Sequence, residues 1–361
     1  MARILINRVS VQNYAHLRKP QSGTKLPTVA IHEVISDEFL KRFEPFATED
    51  GLVTYADFSR VALYDPDFGY YQSNQERVGK ADGTDFYTSV SVGPVFGQLV
   101  AAAARKLVGD NQLDEYTLVE MGAEPSGGMF NRVDTGFGES RTFRLGQTPK
   151  IPNRSVLVAN EVLDAQPFHR LEFRGGEWRE WGVNLSPEGL SEEILPELSE
   201  PVQQKISPHL PPEMPEGYRL DLSIEAESLV ESWCDGDWQG AIILIDYGKS
   251  WQELIEATAQ GTARAYLRHQ QTNALLQHPG QQDLTTHVCW DRIETCLDKQ
   301  KFTNICLRRQ ESFLVHEAWT EIERLSQELG ESQSASRGQI QSLLHPSGFG
   351  SKFQVQYAVR K

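Results

Sequence analysis

Three short apolar runs in the chain each end at an acidic residue. The runs cover residues 116–119, 156–159 and 240–245, and the acids that end them are Glu120, Glu161 (directly after Asn160) and Asp246. Such runs are typical of strands that are buried on both faces of a parallel sheet. Because open α/β sheets bind ligands outside the carboxyl ends of their strands, we interpret these polar side chains as placed for chemistry. The alternative for Asn160, Glu161 and Asp164 is a helix N-cap with a favourable first turn.

Helical patterns separate the apolar runs. From Pro94, apolar residues recur at helical spacing as far as Gly109, which predicts a helix that begins with proline and ends before glycine. Similar patterns predict helices at the following places: from Ser36 to Pro45, from Thr54, over residues 224–233, and as one long helix over residues 313–329. Residues 352–359 alternate like an outer strand. This recurrence of strand, turn and helix predicts a doubly wound α/β fold with helices on both faces of the sheet.

The patterns also predict how the chain is divided. Residues 1–32 contain five basic residues and no acid, which indicates a basic, disordered arm or an organellar transit peptide. Residues 33–361 are expected to form one large domain. Within it we expect an N-terminal helical part (33–110), a core (111–167 and 220–361) and an insertion-like region (168–219).

The composition limits the classes of function. The 361 residues carry a net charge of −15, so a general phosphate-binding face for nucleic acid is not expected, whereas a basic protein segment would suit the charge. The charge is also explained by solubility alone. No apolar run reaches the ~18 residues that a membrane span requires. The four cysteines form no C-x-x-C pair or zinc pattern, which indicates reduced thiols in a cytoplasmic compartment and no metal site.

The turn LVEMGAEPSGG, residues 118–128, is the candidate cofactor site. Glycines after a strand allow a ligand to approach the backbone where a Cβ atom would clash. The glycines here are Gly122, Gly127 and Gly128, and their spacing does not match the G-x-G-x-x-G dinucleotide fingerprint. Sites for S-adenosylmethionine tolerate looser glycine patterns because they hold no pyrophosphate. The alternative is a tight turn without a ligand.

Several segments, in order along the chain, resemble those of one enzyme family. They are YDPDFGYY, DFYTSVSVGPVFGQL, LVEMGAEPSGG, VLVANEVLDAQPFHRL, ILIDYG, GTARAYLRH, HPGQQDLTTHV and QESFLVHEAW. Together they resemble the MidA-type S-adenosylmethionine-dependent methyltransferases, from about Glu38 to the end of the chain. The family includes a mitochondrial protein arginine methyltransferase that assists the assembly of respiratory complex I. The resemblance implies a Rossmann-like methyltransferase core with an added helical and β subdomain, and S-adenosyl-L-methionine as the cofactor.

The resemblance also implies roles for individual residues. The expected cofactor-binding residues are Glu120, Gly122, Gly127, Gly128, Asn160 and Asp246. The expected catalytic residues are Glu161 and Asp164, because paired carboxylates can orient a guanidinium ion by bidentate hydrogen bonds and stabilise developing charge. The expected substrate-binding residues are Tyr70, an aromatic residue that would close over the site, and Tyr247. The implied reaction is methylation of a protein arginine, so a protein substrate or partner is expected, and a homo-oligomer is left open.

Four features depart from the family pattern, among them Ser91 in place of a glutamate and Lys249 in place of a histidine, and the other two concern the cofactor site. The family turn usually reads G-P-G-x-G, whereas this chain has GAEPSGG. The family also has an acid that holds the ribose hydroxyls at the end of a second strand, whereas residues 129–154 contain only Asp134 and Glu139 as acids. These departures motivate an alternative hypothesis, a catalytically inactive methyltransferase fold that acts as an assembly factor or binding module. A third hypothesis is a different nucleotide-binding enzyme. The expected location is cytoplasmic, or the mitochondrial matrix if the basic N-terminus is a transit peptide.

Overall fold

The computed structural model describes most of the chain after residue 35. It describes residues 36–361 except 73–88, 90–91, 110, 126, 145–146, 148, 187–188, 329–333 and 346–349. The helices are α1 (Asp37–Lys41), α2 (Tyr55–Tyr64), α3 (Pro94–Val108), α4 (Ile224–Trp233), α5 (Trp251–Glu256), α6 (Trp290–Lys299), α7 (Gln310–Glu317), α8 (Trp319–Glu328) and α9 (Ser334–Leu344). The strands are β1 (Leu52–Thr54), β2 (Thr117–Met121), β3 (Glu139–Phe143), β4 (Arg154–Asn160), β5 (His169–Arg174), β6 (Glu177–Ser186), β7 (Gly189–Ile194), β8 (Arg219–Leu222), β9 (Gln239–Asp246), β10 (Gly248–Lys249), β11 (Arg264–Leu267), β12 (Gln270–Thr272), β13 (Asp283–Thr285), β14 (Val288–Cys289), β15 (Thr303–Arg309) and β16 (Gln354–Arg360).

A six-stranded sheet with the order β15-β16-β9-β4-β2-β3 forms the core. Strands β3, β2, β4 and β9 are parallel to one another, and β16 runs antiparallel to both β9 and β15. In the parallel part, Val119 pairs with Leu157, which pairs with Ile242. The apolar runs of the sequence therefore lie side by side in the middle of the sheet. The predicted fold class, a Rossmann-like α/β core, is confirmed.

Helices cover both faces of this sheet. Alternate strand residues point to opposite faces, so Val156 and Val158 pack against α3, α7, α8 and α9, whereas Leu157 and Ala159 pack against α4 and α6. Phe96 of α3 and Trp233 of α4 are among the fully buried side chains of the two layers. Truncating such a side chain to alanine typically costs about 3–5 kcal/mol. The two apolar layers hold the strand ends in fixed positions.

The added subdomain consists of α2, a three-stranded sheet and a second sheet. The second sheet is antiparallel, with the order β1-β6-β5-β8 and with β7 paired to β6. Strand β1 comes from the N-terminal part, so the insertion-like region 168–219 shares its sheet with that part. Helix α2 packs against β5, β6 and β13, and β13 belongs to a three-stranded sheet with the order β12-β11-β13. These elements bring the subdomain to the carboxyl ends of the core strands.

Two predictions about elements near the C-terminus are wrong. The single helix expected over residues 313–329 is two helices, α7 and α8, because Ala318 leaves the helical region with φ −124° and ψ 20°. The strand expected at the outside, β16, lies between β9 and β15. Strand β15 was not predicted, and it takes the edge position instead. The basic segment 1–32 lies outside the described residues, and no helix in the described part is long and apolar enough to cross a membrane.

Candidate active site

An open cavity of about 930 Å³, including its mouth, lies at the carboxyl ends of β2, β4 and β9. Most of the side chains that the sequence indicated line it. These are Glu120, Gly122, Gly127, Gly128, Asn160, Glu161, Asp164 and Tyr247. They come together because parallel strands end at the same edge of a sheet. The remaining two, Tyr70 and Asp246, occupy other positions.

Glu120 lies at the end of β2 and is 3% exposed. Its Oε1 atom accepts a hydrogen bond of 2.6 Å from the backbone N–H of Met129, whereas its Oε2 atom has no hydrogen-bond partner among the described residues. Burial raises the pKa of Glu120 to about 7, and hydrogen bonds from the backbone of Met129 and Phe130 oppose this shift. The Glu120 carboxyl group is thus a buried acceptor that titrates near neutral pH.

The glycines of the turn after β2 are required by the protein's own packing. A Cβ atom at Gly128 would clash with the Glu120 carboxylate, and one at Gly122 would clash with the side chain of Val162. Gly122 also has φ +78°, a region that favours glycine. The glycine turn therefore fits closely around Glu120 and against the loop that follows β4.

The loop after β4 carries Asn160, Glu161 and Asp164 to the cavity. Residues 161–166 form bends and turns, so the helix N-cap alternative is wrong. Glu161 has φ +53°, an uncommon conformation for a residue with a side chain, and its Oε1 atom accepts a 2.9 Å hydrogen bond from Asn160 Nδ2. The Oδ1 atom of Asn160 is buried and has no hydrogen-bond partner among the described residues. Backbone strain of this kind is concentrated at functional sites.

Asp246 anchors this loop from behind. Its Oδ2 atom accepts hydrogen bonds from the backbone N–H groups of Val162 (3.2 Å), Leu163 (2.9 Å) and Asp164 (3.2 Å). Its Oδ1 atom accepts a 2.7 Å bond from the N–H of Tyr247. Burial raises the pKa of Asp246 to about 7, although these four N–H groups oppose the shift. Asp246 is not among the described lining residues of the cavity, and both of its oxygen atoms accept backbone hydrogen bonds, so its contact with the cofactor stays a prediction.

The other wall of the cavity comes from the subdomain, and sequence reasoning missed it. Its side chains are Tyr71, Tyr266, Asp283 and Thr285. The hydroxyl group of Tyr71 donates a 2.9 Å hydrogen bond to Asp283 Oδ1. Tyr70, the aromatic residue that was expected here, is 4% exposed and packs in the apolar cluster between α2 and the second sheet. The next residue, Tyr71, lines the cavity, and the role of Tyr70 in substrate binding stays a prediction.

The cavity is strongly acidic. Five carboxyl groups line it, and no lysine, arginine or histidine appears among its described lining residues; the acids are Glu120, Glu124, Glu161, Asp164 and Asp283. Burial raises the pKa of Asp164 well above its usual value, and the negative charges of Asp246, Asp283 and Glu161 raise it further. Bringing so many carboxylates together out of water is costly unless a cation joins them or protons neutralise some of them.

Residues 83–305, more than half of the chain, match the model of a family described as "Putative S-adenosyl-L-methionine-dependent methyltransferase". The chain belongs to this family. It is also similar to proteins named "Protein arginine methyltransferase NDUFAF7, mitochondrial" in Danio rerio, and its homolog in Caenorhabditis elegans. The first is 24% identical and covers 89% of this chain and 86% of the relative, and the second is 24% identical with 68% of each chain covered. These relatives agree with the MidA-type resemblance.

Two solved structures from Burkholderia thailandensis have the same fold. One, bound to S-adenosyl-homocysteine, has a TM-score of 0.74 and 21% identity, and it covers 91% of this chain and 95% of that chain. The other, a native crystal structure of a protein of the same superfamily, has a TM-score of 0.69 and 20% identity, covering 91% and 94% of the two chains. The fold is thus that of the MidA-type family over nearly the whole chain.

The protein is an S-adenosyl-L-methionine-dependent methyltransferase, and S-adenosyl-L-methionine is its cofactor. The residues of the cavity fit this cofactor. The α-ammonium group of its methionine part needs hydrogen-bond acceptors, and Glu120 Oε2 and Asn160 Oδ1 are two buried acceptors that lack a partner among the described residues. Glu120 and Asn160 are both among the residues that line the cavity.

Proposed function

We propose that the protein methylates arginine side chains of a protein substrate, with Glu161 and Asp164 as the catalytic residues. The observation that carries the proposal is the acidic cavity, with five carboxyl groups and no basic side chain among its described lining residues. Such a lining favours a substrate group that carries a positive charge. Because a guanidinium ion is planar and has five donors, it can satisfy two carboxylates at once better than an ammonium ion can.

Glu161 and Asp164 are suited to orient this guanidinium group. Both belong to the loop after β4, whose backbone Asp246 holds through three N–H groups, so the loop is anchored before the substrate binds. Thr286 N–H also donates a 2.8 Å hydrogen bond to the carbonyl oxygen of Asp164, which ties the loop to the subdomain. Fixed orientation supplies much of the rate enhancement of a displacement reaction.

Asp164 is also suited to accept the proton that the arginine nitrogen releases. The bound cofactor supplies an electrophilic methyl group on a sulfonium ion. The pKa of Asp164 is raised by burial and by neighbouring carboxylates, which makes its carboxylate a stronger base than an ordinary aspartate. A positively charged substrate stabilises the ionised carboxylate until the transfer occurs, so that Asp164 can bind the guanidinium ion first and take its proton late.

Glu120 and Asn160 would hold the amino-acid end of the cofactor. Both lie at ends of neighbouring core strands, β2 and β4, and each has a buried oxygen without a partner among the described residues. Tyr247 and the subdomain residues Tyr71 and Tyr266 would enclose the reacting groups. Aromatic faces attract cations, which adds to the preference for a positively charged acceptor.

We further propose a protein partner and a mitochondrial location. The relatives are named as mitochondrial arginine methyltransferases, which agrees with the mitochondrial alternative, while nothing supports the expected cytoplasmic location. The net charge of −15 favours association with a basic protein segment.

The experiment is transfer of a labelled methyl group from S-adenosylmethionine to proteins of an extract that lacks this protein. We expect Glu161→Gln and Asp164→Asn to lower the rate of label transfer by about 10²-fold or more, while cofactor binding is kept. Asp298→Asn, at an exposed position on α6, is the matched control and should transfer label normally. Full activity of the Glu161→Gln, Asp164→Asn double variant would refute the assignment. Absence of transfer by wild-type protein that binds the cofactor would favour the inactive binding module.

A further inference from the structure

Strand β3 ends without a carboxylate. In α/β folds that bind nucleosides, an acid beyond the glycine turn usually accepts hydrogen bonds from the ribose hydroxyls. Here β3 ends at Phe143, and residues 144–153 contain no aspartate or glutamate. Arg144, which follows directly, is exposed. A bound adenosine would need another acceptor for its two ribose hydroxyls.

The glycine turn covers the end of β3 and brings a different acid there. The backbone N–H groups of Gly122 and Ala123 both donate to the carbonyl oxygen of Phe143, at 2.9 and 3.1 Å. Glu124 follows directly, and its carbonyl oxygen accepts a 3.0 Å bond from Gly127 N–H, which closes the turn. Its side chain lines the cavity.

The order of the strands separates Glu124 from the reaction carboxylates. Strand β2 lies between β4 and β3, so the β4 side of the cavity holds Glu161 and Asp164, and the β3 side holds Glu124. A cofactor whose amino-acid end meets Glu120 and Asn160 would extend its nucleoside toward β3. We propose that Glu124 binds the ribose hydroxyls of the cofactor in place of an acid at the end of β3. This proposal rests on the proposed use of the cavity for the cofactor.

The test is calorimetric titration of the protein with two ligands, S-adenosylhomocysteine and its 2′,3′-dideoxyribose analogue, which lacks both ribose hydroxyls. A hydrogen bond between a hydroxyl and a carboxylate predicts that Glu124→Gln weakens binding of S-adenosylhomocysteine by about 10- to 100-fold. The wild-type protein should bind the dideoxy analogue more weakly than S-adenosylhomocysteine. Glu124→Gln should weaken binding of the dideoxy analogue by less than about threefold, because the contact between the ribose hydroxyls and Glu124 is already absent. Glu139→Gln, an exposed position on β3, is the matched control and should change neither affinity.

The outcomes separate this proposal from that of the cofactor site. Equal losses for both ligands, or no loss in Glu124→Gln, would overturn the role of Glu124 and leave the cofactor site intact. Tighter binding by Glu124→Gly would also overturn it, because the side chain would then obstruct the nucleoside. No binding of either ligand by folded wild-type protein would overturn both. Thermal unfolding of each variant confirms that it is folded.

Discussion

The affinity for S-adenosylhomocysteine should rise with pH in a way that depends on Glu120. The pKa of Glu120 in the free protein is raised from 4.5 to about 7 by burial. A ligand ammonium group binds the ionised carboxylate, and only about 1% of Glu120 is ionised at a pH two units below its pKa. Binding at about pH 5 should therefore be roughly 100-fold weaker than the plateau above about pH 8, and it should release close to one proton.

Calorimetry in buffers of different ionisation enthalpy measures both the affinity and the released protons. In Glu120→Gln the affinity should be low and nearly independent of pH. Asp246, whose pKa is also raised to about 7, remains in this variant and provides an internal comparison. A wild-type affinity that does not change with pH would contradict the role of Glu120 in ligand binding. An affinity that changes with pH as strongly in Glu120→Gln as in the wild type would contradict it too.

The stability of the ligand-free protein should change in the opposite direction. Because the pKa of Glu120 is higher in the folded state, its contribution to stability is complete below about pH 4.5 and is lost as the pH rises to about 7. A pKa raised from 4.5 to about 7 corresponds to about 3 kcal/mol. The free energy of unfolding in urea should therefore fall more steeply between about pH 4.5 and pH 7 in the wild-type protein than in Glu120→Gln.

Three further predictions follow from the contacts. Asp164→Asn should lower kcat by about 10²-fold or more while the affinity for S-adenosylhomocysteine, measured by calorimetry, stays within threefold; a lowered affinity alone would contradict its catalytic role. Asp246→Ala leaves four buried N–H groups without their acceptor and should cost about 3–5 kcal/mol in urea unfolding, and a cost below about 1 kcal/mol would contradict its positioning role. Gly122→Ala should cost about 2 kcal/mol more than Gly51→Ala, since the two glycines have φ +78° and +77° but a Cβ atom clashes only at Gly122; equal losses would mean that the Val162 contact is unimportant.

The core of the fold and one wall of the cavity could be predicted from the sequence. The apolar runs that end at Glu120 and Glu161 specify buried parallel strands, and parallel strands bring their ends together without further information. The direction of a side chain in a turn cannot be predicted in this way. Asp246 follows its strand as clearly as Glu120 does, yet it turns back to cap the loop at residues 162–164.

The second wall could not be predicted from the hydrophobic pattern, because its residues are distant in the sequence and lie in short strands or in the turn after α2. Tyr71, Tyr266 and Asp283 meet only because α2, β11 and β13 pack together. In YDPDFGYY the sequence does not show which of the adjacent residues Tyr70 and Tyr71 lines the cavity, because this segment has no helical or strand periodicity that would fix the direction of each side chain. Strand β15, with partly polar and exposed residues, lacks the apolar run that marks the buried strands.

Identification of the methylated residue distinguishes arginine methylation from every other methyl transfer by this protein. The wild-type enzyme labels the proteins of the extract with methyl-labelled S-adenosylmethionine. The proteins are then hydrolysed, and the resulting amino acids are separated. Because the cavity combines five carboxyl groups with no basic side chain among its described lining residues, we expect the label in methylarginine. Label in methyllysine, in a methyl ester or in a non-protein acceptor would contradict it.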